Sequence, residues 1–170
     1  MPTLFHGAPT HVLLVHAVVV LIPLTCAAVV LHAFWPTARR RLGIVTPAFA
    51  AVSLVLVPIT THAGKLFRDR NHLDQLAPVR HHAQLGGELL PWVIVLFVVA
   101  AAVWVVGRDL DGSPAPVVGR FLGSGRTVPG WLPIAVGVLA IAISVVTVIQ
   151  LYRIGDSGAR AVWCGSTNAC

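Results

Sequence analysis

Four long stretches of the chain contain no Asp, Glu, Lys or Arg and are rich in Val, Leu, Ile and Ala. Each is close to or above the roughly 20 residues that a helix needs to cross the hydrocarbon layer, and none alternates polar and apolar residues as a barrel strand does. The pattern predicts four membrane-spanning helices. The uncharged stretches are Val12–Ala38, Leu42–Gly64, Leu89–Gly107 and Thr127–Tyr152.

The connections between these stretches are short, which makes successive helices antiparallel neighbours. We therefore predict that residues 1–170 form one all-α domain, an integral membrane four-helix bundle with up-down-up-down topology. The stretches take up more than half of the chain, so no room is left for a soluble domain. The expected spans are about 12–35, 42–62, 82–106 and 131–152.

Composition supports a membrane protein and changes how the net charge is interpreted. The chain is 56% hydrophobic and only 11% charged, whereas about a quarter of the residues are charged in a soluble domain. A net charge of +6 in a soluble protein would suggest nucleic acid. Here the arginines lie beside apolar spans, where they set topology and meet anionic lipid head groups. We expect contact with the lipid bilayer and no nucleic-acid partner.

Three arginines, Arg39–Arg41, follow the first predicted span, whereas Met1–Thr10 carries no charged side chain. Positive charge favours the cytoplasmic side, so we expect both termini to be extracytoplasmic. The 12 Lys and Arg residues of the chain divide equally between the two sides of the predicted bundle, and the orientation therefore depends on the first span.

Histidines collect at one end of the predicted bundle. His16 lies about 6 Å inside the first span, at 1.5 Å per residue. His62 ends the second span, and His81 and His82 begin the third. Glu88, two turns further along, is the deepest ionisable side chain. Polar groups at this depth are costly and typical of functional sites.

A neutral imidazole binds iron or another metal without burying a charge. His16 together with His81 or His82 would supply the two axial ligands of a b-type haem, with His62 in reserve. The glycines Gly86–Gly87 would let a flat macrocycle approach the backbone. The sequence does not choose between His81 and His82.

Other interpretations of the same cluster stay open. Three histidines with Glu88 would suit Zn or Cu, and histidines with Gln84 and Glu88 would suit a proton relay or a quinone pocket. Each histidine alone is also an ordinary amphipathic residue at a membrane interface, and we interpret His32 in this way. His11 and His16 lie about 140° apart around one helix, so both cannot face one ligand.

The tail beyond the fourth span contains Gly155 and Gly158, which predict that the helix ends there. Asp156 and Arg160 would then lie on the side of the histidine cluster. The segment is either a helix cap with an interfacial Trp163, or a lid in which Arg160 faces a carboxylate such as a haem propionate. In the second case Arg160 and Glu88 would surround the ligand.

The three cysteines carry little functional information. Cys26 is predicted to be a core residue, and Cys164 and Cys170 could form a disulfide in an oxidising compartment. The chain contains no Cys-x-x-Cys-His for covalent haem, no phosphate-binding glycine loop and no Ser-His-Asp order. An enzyme acting on its own is therefore not indicated.

The segment His11-Val-Leu-Leu-Val-His16 resembles the His-Pro-x-x-Val-His opening of a bacterial four-span membrane-protein family known only as a domain of unknown function. The glycine Gly64, a histidine at the start of the third helix, and a tail similar to Gly-His-Ser-Gly-Ala-x-x-Val-Trp fit the same pattern. The resemblance implies a multi-pass protein of the bacterial plasma (inner) membrane without an assigned activity. By position it points to His11, His16, His81 or His82, Gly155, Ser157 and Gly158.

The chain departs from that pattern at Val12, which replaces the proline, and at Asp156, which stands where the family pattern has histidine. Three hypotheses follow from the whole sequence. The first is a haem- or metal-binding electron-transfer protein. The alternative is a cofactor-free accessory subunit of a larger membrane or respiratory complex. The third is a metal or proton transporter, for which four spans leave little room unless the protein oligomerises.

Overall fold

The structure is a computed structural model that describes the backbone of residues 4–5, 8–112 and 128–166, and the side chains of residues 10–112 and 128–163. Two two-residue strands, β1 and β2, pair antiparallel before the first helix. Five α-helices and one 3₁₀ turn follow in the described residues. The elements are β1 Leu4–Phe5, β2 Ala8–Pro9, α1 Thr10–Phe34, α2 Pro36–Leu42, α3 Val45–Arg70, the 3₁₀ turn Leu73–Gln75, α4 Ala77–Leu110 and α5 Trp131–Ser166.

Four of the helices, α1, α3, α4 and α5, are long and apolar enough to cross a membrane. Helix α1 packs against α3 and α5, and α4 packs against the same two helices. The helices therefore follow one another around the bundle in chain order, with α1 and α4 on one diagonal. The predicted all-α membrane four-helix bundle is confirmed, and the chain is a multi-pass membrane protein.

Three of the helices extend well beyond the expected spans. Helix α3 continues to Arg70, past the expected end at residue 62. Helix α4 runs from Ala77 to Leu110, where a span of about 82–106 was expected. The prediction that Gly155 and Gly158 end the last helix is wrong, because α5 continues to Ser166. Each glycine weakens a helix by roughly 1 kcal/mol, and packing of α5 against α4 offsets that loss.

The core is built on a heptad spacing. On α4 the buried positions Leu89, Val93, Leu96, Ala100 and Val103 recur at alternating intervals of four and three residues. That spacing keeps one face of a helix turned to its partner in a left-handed bundle. On α1 and α3 some of the buried positions at the same spacing carry polar side chains. They are Thr25, His32, Thr46, Ser53 and Thr60.

Helix α2 links α1 to α3 at the end of the bundle opposite to the chain's N-terminus. The extended Trp35 (φ −115°, ψ 105°) and Pro36 separate α2 from α1. At its other end Gly43 adopts a positive φ of 43°, which glycine tolerates best. The Gly43 N–H donates to the Arg39 carbonyl oxygen and closes the helix.

Candidate functional site

His11, in the first turn of α1, turns towards α3. Its Nδ1 donates a hydrogen bond to the Thr60 carbonyl oxygen at 3.1 Å. Because a carbonyl oxygen only accepts, we place the proton of the neutral ring on Nδ1, which leaves the lone pair on Nε2. The ring lies against Gly64, where an added methyl group would come within 2.7 Å of His11 Cε1. Gly64 thus provides the space that the imidazole occupies.

His82, on α4, is held against α5 in a similar way. Its Nδ1 lies 3.1 Å from the Ile154 carbonyl oxygen and 3.0 Å from Ser157 Oγ. The Ser157 hydroxyl donates to the same carbonyl at 2.8 Å, so Nδ1 of His82 is the donor to both oxygens. Nε2 again keeps the lone pair. A methyl group at Gly158 would lie 3.0 Å from His82 Cε1.

We call His11 and His82 the inward pair. Both rings are partly buried at the same end of the bundle. All four long helices contribute to their surroundings: α1 and α4 carry the rings, while α3 and α5 provide a backbone acceptor and a glycine each. Each ring thus keeps an Nε2 lone pair that can bind a metal ion, and the two rings come from two different helices.

Of the six residues that the sequence assigned to a ligand site from the histidine cluster and the tail, all of them in the described part of the chain, only His82 has a hydrogen bond to a neighbouring helix. His11 and Ser157, to which the family resemblance also points, take part in such bonds as well. The His16 side chain is exposed on α1, and its Nδ1 donates to the Val12 carbonyl oxygen of the same helix at 2.7 Å. Arg160 Nε donates to Asp156 Oδ2 at 2.9 Å on the exposed side of α5. The exposed residues of the predicted cluster are His16, His62, His81, Glu88 and Arg160.

Among the side chains that the structure describes, those of residues 10–112 and 128–163, no group of three or more from His, Cys, Asp or Glu is placed to hold a metal ion. A site built from three histidines and Glu88 therefore has no counterpart there. A haem needs only two protein ligands. The role of each predicted histidine as a haem ligand stays a prediction. Cys164 and Cys170 lie outside the residues with described side chains, as does His6.

His32 lies at the opposite end of the bundle and is not the interfacial residue that the sequence suggested. It is 1% exposed, and its Nδ1 lies 2.9 Å from Thr46 Oγ1 on α3. Above it, Arg39 of α2 pairs with Asp111 at the end of α4. A buried imidazole needs such a hydrogen-bond partner because leaving it unpaired costs free energy.

The polar positions between α1 and α3 follow a seven-residue interval. His11, Thr25 and His32 fall on it in α1, while Thr46, Ser53 and Thr60 fall on it in α3. Thr25 and Ser53 share a hydrogen bond of 3.2 Å between their hydroxyl oxygens in the buried middle of the bundle. We call these six residues the polar seam.

The same interval is the signal that would have distinguished His82 from His81. The positions seven and fourteen residues after His82 are Leu89 and Leu96, which are buried. Those after His81 are Glu88 and Val95, which are exposed.

Comparison with protein-family models, curated proteins and solved structures finds no match for this chain. The resemblance drawn from the sequence motifs thus stays a prediction.

Proposed function

We propose that this protein binds a b-type haem through His11 and His82, near one membrane face, and passes single electrons. The observation that supports this choice of ligands is that both rings are partly buried and hydrogen-bonded to a neighbouring helix, whereas the His16 ring is exposed and bonded to its own helix. In each ring of the inward pair, Nδ1 donates to a main-chain carbonyl, and the lone pair is left on Nε2.

Histidines that bind metals usually have the ring fixed by a hydrogen bond from the other nitrogen. The inward pair meets this condition before any ligand is added. The two imidazoles are neutral in that state, so no charge has to be buried with them. Bound haem iron supplies one-electron redox chemistry, and the protein supplies two oriented donors and the surrounding helices.

The glycines that the sequence indicated for a flat ligand are compatible with one. A methyl group at Gly87 would meet nothing within 4 Å, and one at Gly86 would meet only the Thr61 methyl at 4.0 Å. The proposal includes a site that faces the extracytoplasmic side of a bacterial plasma membrane, with both termini on that side. Should the ligand be a metal ion such as Zn or Cu, the same two nitrogens would bind it with ligands from elsewhere.

The test is a reduced-minus-oxidised visible spectrum of protein purified from its native membrane, with metals quantified in the same sample. Two pairs of variants compare neighbouring histidines. His82→Ala should remove the haem α-band and His81→Ala should keep it; His11→Ala should remove it and His16→Ala should keep it.

Each alternative result has a meaning. Loss of the band in His16→Ala, with the band kept in His11→Ala, would return the ligand role to His16. A colourless sample with stoichiometric Zn or Cu would replace haem by a metal ion. A sample with neither chromophore nor metal would contradict the proposal.

A second candidate function has its own support. His62, Gln84 and Glu88 are exposed on α3 and α4, and polar side chains facing lipid close to an apolar segment are costly. A covering protein partner would remove that cost, as expected for an accessory subunit of a larger complex. Gentle purification followed by cross-linking should then recover the partner, and replacing Glu88 by Ala should weaken its retention.

A further inference from the structure

The three consecutive arginines of α2 do not share one environment. Arg39 is partly buried, whereas Arg40 and Arg41 are exposed. On a helix of this pitch the residues facing the bundle are Ala38, Arg39 and Leu42, and the two exposed arginines lie on the opposite side. In the sequence the three arginines form one positive cluster, but in the structure Arg39 faces the bundle while Arg40 and Arg41 face away from it.

Arg39 is held by the bundle itself. Its Nε lies 3.2 Å from each carboxylate oxygen of Asp111, and its Nη2 donates to Oδ1 at 2.9 Å. The stem of Arg39 crosses Gly107, where an added methyl group would come within 2.6 Å of Arg39 Cδ. The paired side chains are only 14% and 25% exposed. Arg39 is thus neutralised, and it fixes the orientation of α2 against α4.

An aromatic residue marks the level of α2 along the bundle. Trp35, between α1 and α2, is 58% exposed. Tryptophan is typical of the membrane–water boundary. Arg40 and Arg41 therefore emerge at the level where lipid phosphates lie.

We propose that Arg40 and Arg41 bind the phosphodiester group of an anionic phospholipid, and that Arg39, paired with Asp111, anchors α2 to the bundle and takes no part in this contact. The guanidinium group matches phosphate oxygens in a planar, bidentate manner. The choice of a lipid over a soluble acidic partner follows from the level of α2, because the exposed Trp35 at its start is typical of the membrane–water boundary, where lipid phosphates lie. This proposal is independent of any haem.

Native mass spectrometry of the full chain in detergent tests the assignment, with phosphatidylglycerol and phosphatidylcholine titrated separately. The wild type should bind phosphatidylglycerol more tightly. Arg40→Gln combined with Arg41→Gln should weaken that binding by about 25-fold, from about fivefold for each arginine. A matched double variant, Arg80→Gln with Arg153→Gln, removes two exposed arginines from the other face and should leave the binding within about twofold.

Arg39→Gln separates the two roles within α2. It should lower thermal stability in detergent and leave phosphatidylglycerol binding to the folded fraction nearly unchanged, whereas the Arg40 and Arg41 variants should keep the wild-type stability. If the Arg40/Arg41 double variant is recovered poorly, the two single variants carry the same test at about fivefold each.

Several results would overturn the proposal. One is an equal loss of binding in both double variants, which would indicate a general effect of net charge. Another is unchanged binding in the Arg40/Arg41 variant. A third is displacement of the lipid by millimolar inorganic phosphate, which would indicate a site for a free anion.

Discussion

Replacing Gly158 by Ala should displace His82 from its place against α5. The new methyl group would lie 3.0 Å from His82 Cε1 and 3.3 Å from Nδ1, distances tighter than nearly all contacts of real Cβ atoms. The imidazole can withdraw only by lengthening its contacts of 3.1 Å to the Ile154 carbonyl and 3.0 Å to Ser157 Oγ. Steric relief and hydrogen bonding therefore oppose each other at this position.

The size of the effect comes from three contributions to the free energy of unfolding. Alanine is favoured over glycine in a helix by about 1 kcal/mol. Overpacking costs about 1–3 kcal/mol, and each hydrogen bond that is lost costs about 1 kcal/mol. We expect Gly158→Ala to lower the free energy of unfolding by about 1–2 kcal/mol, since the unfavourable contributions exceed the gain in propensity.

Gly155, three residues earlier on α5, is the matched control. A methyl group at Gly155 would meet nothing within 4 Å, so Gly155→Ala should raise the free energy of unfolding by about 1 kcal/mol. Both variants make the same chemical change in the same helix. Their difference of about 2–3 kcal/mol isolates the contact with His82.

Unfolding in mixed micelles by increasing sodium dodecyl sulfate, followed by circular dichroism, measures these differences. The decisive comparison repeats Gly158→Ala in a His82→Ala background, where the clash is absent. There the substitution should stabilise the protein as Gly155→Ala does. If Gly158→Ala already stabilises the protein with His82 intact, the close contact between α4 and α5 is refuted.

Three further predictions use the same unfolding assay or the haem spectrum. Thr46→Val leaves the buried ring of His32 without its partner and should cost about 1–3 kcal/mol; a change below about 0.5 kcal/mol would contradict this pairing. A double-mutant cycle of Thr25→Val and Ser53→Ala should give a coupling of about 0.6 kcal/mol, and zero coupling would show that the hydroxyl groups do not interact. Gly64→Ala should lower the free energy of unfolding by about 1–2 kcal/mol, as Gly158→Ala does, and should remove the proposed α-band, because its methyl group would lie 2.7 Å from His11 Cε1; a retained band would contradict the site.

The number and approximate position of the long helices could be predicted from the sequence because a membrane imposes a length and forbids charge. Those two conditions define the four helices without reference to any partner. The ends of the helices do not follow from them. Gly155 and Gly158 look like helix breakers, yet α5 continues through both, since only the packing partner α4 determines whether the helix is maintained there.

Which side of each helix faces inward was harder to predict for a physical reason. In lipid, outward positions are as apolar as inward ones, so hydrophobicity gives no contrast between Val95 and Leu96. The contrast lies in the spacing of small and polar residues, because close helix packing and interhelical hydrogen bonds require them at the interface. The seven-residue interval from Thr46 through Ser53 to Thr60 carried this information.

The same reasoning bears on Asp156, which stands where the resemblance to the four-span family leads us to expect histidine. Its neighbour Ser157 is 5% exposed and turned to His82, whereas Asp156 is exposed and engages Arg160 on its own helix. Adjacent residues on a helix point about 100° apart, so both positions cannot face the inward pair. A histidine at position 156 would therefore extend outward from α5. Having Asp there instead takes no metal ligand away from the site of His11 and His82. Asp156→His should accordingly leave any spectrum of the bound ligand unchanged, whereas a new or shifted band in that variant would show that the end of α5 turns towards the site.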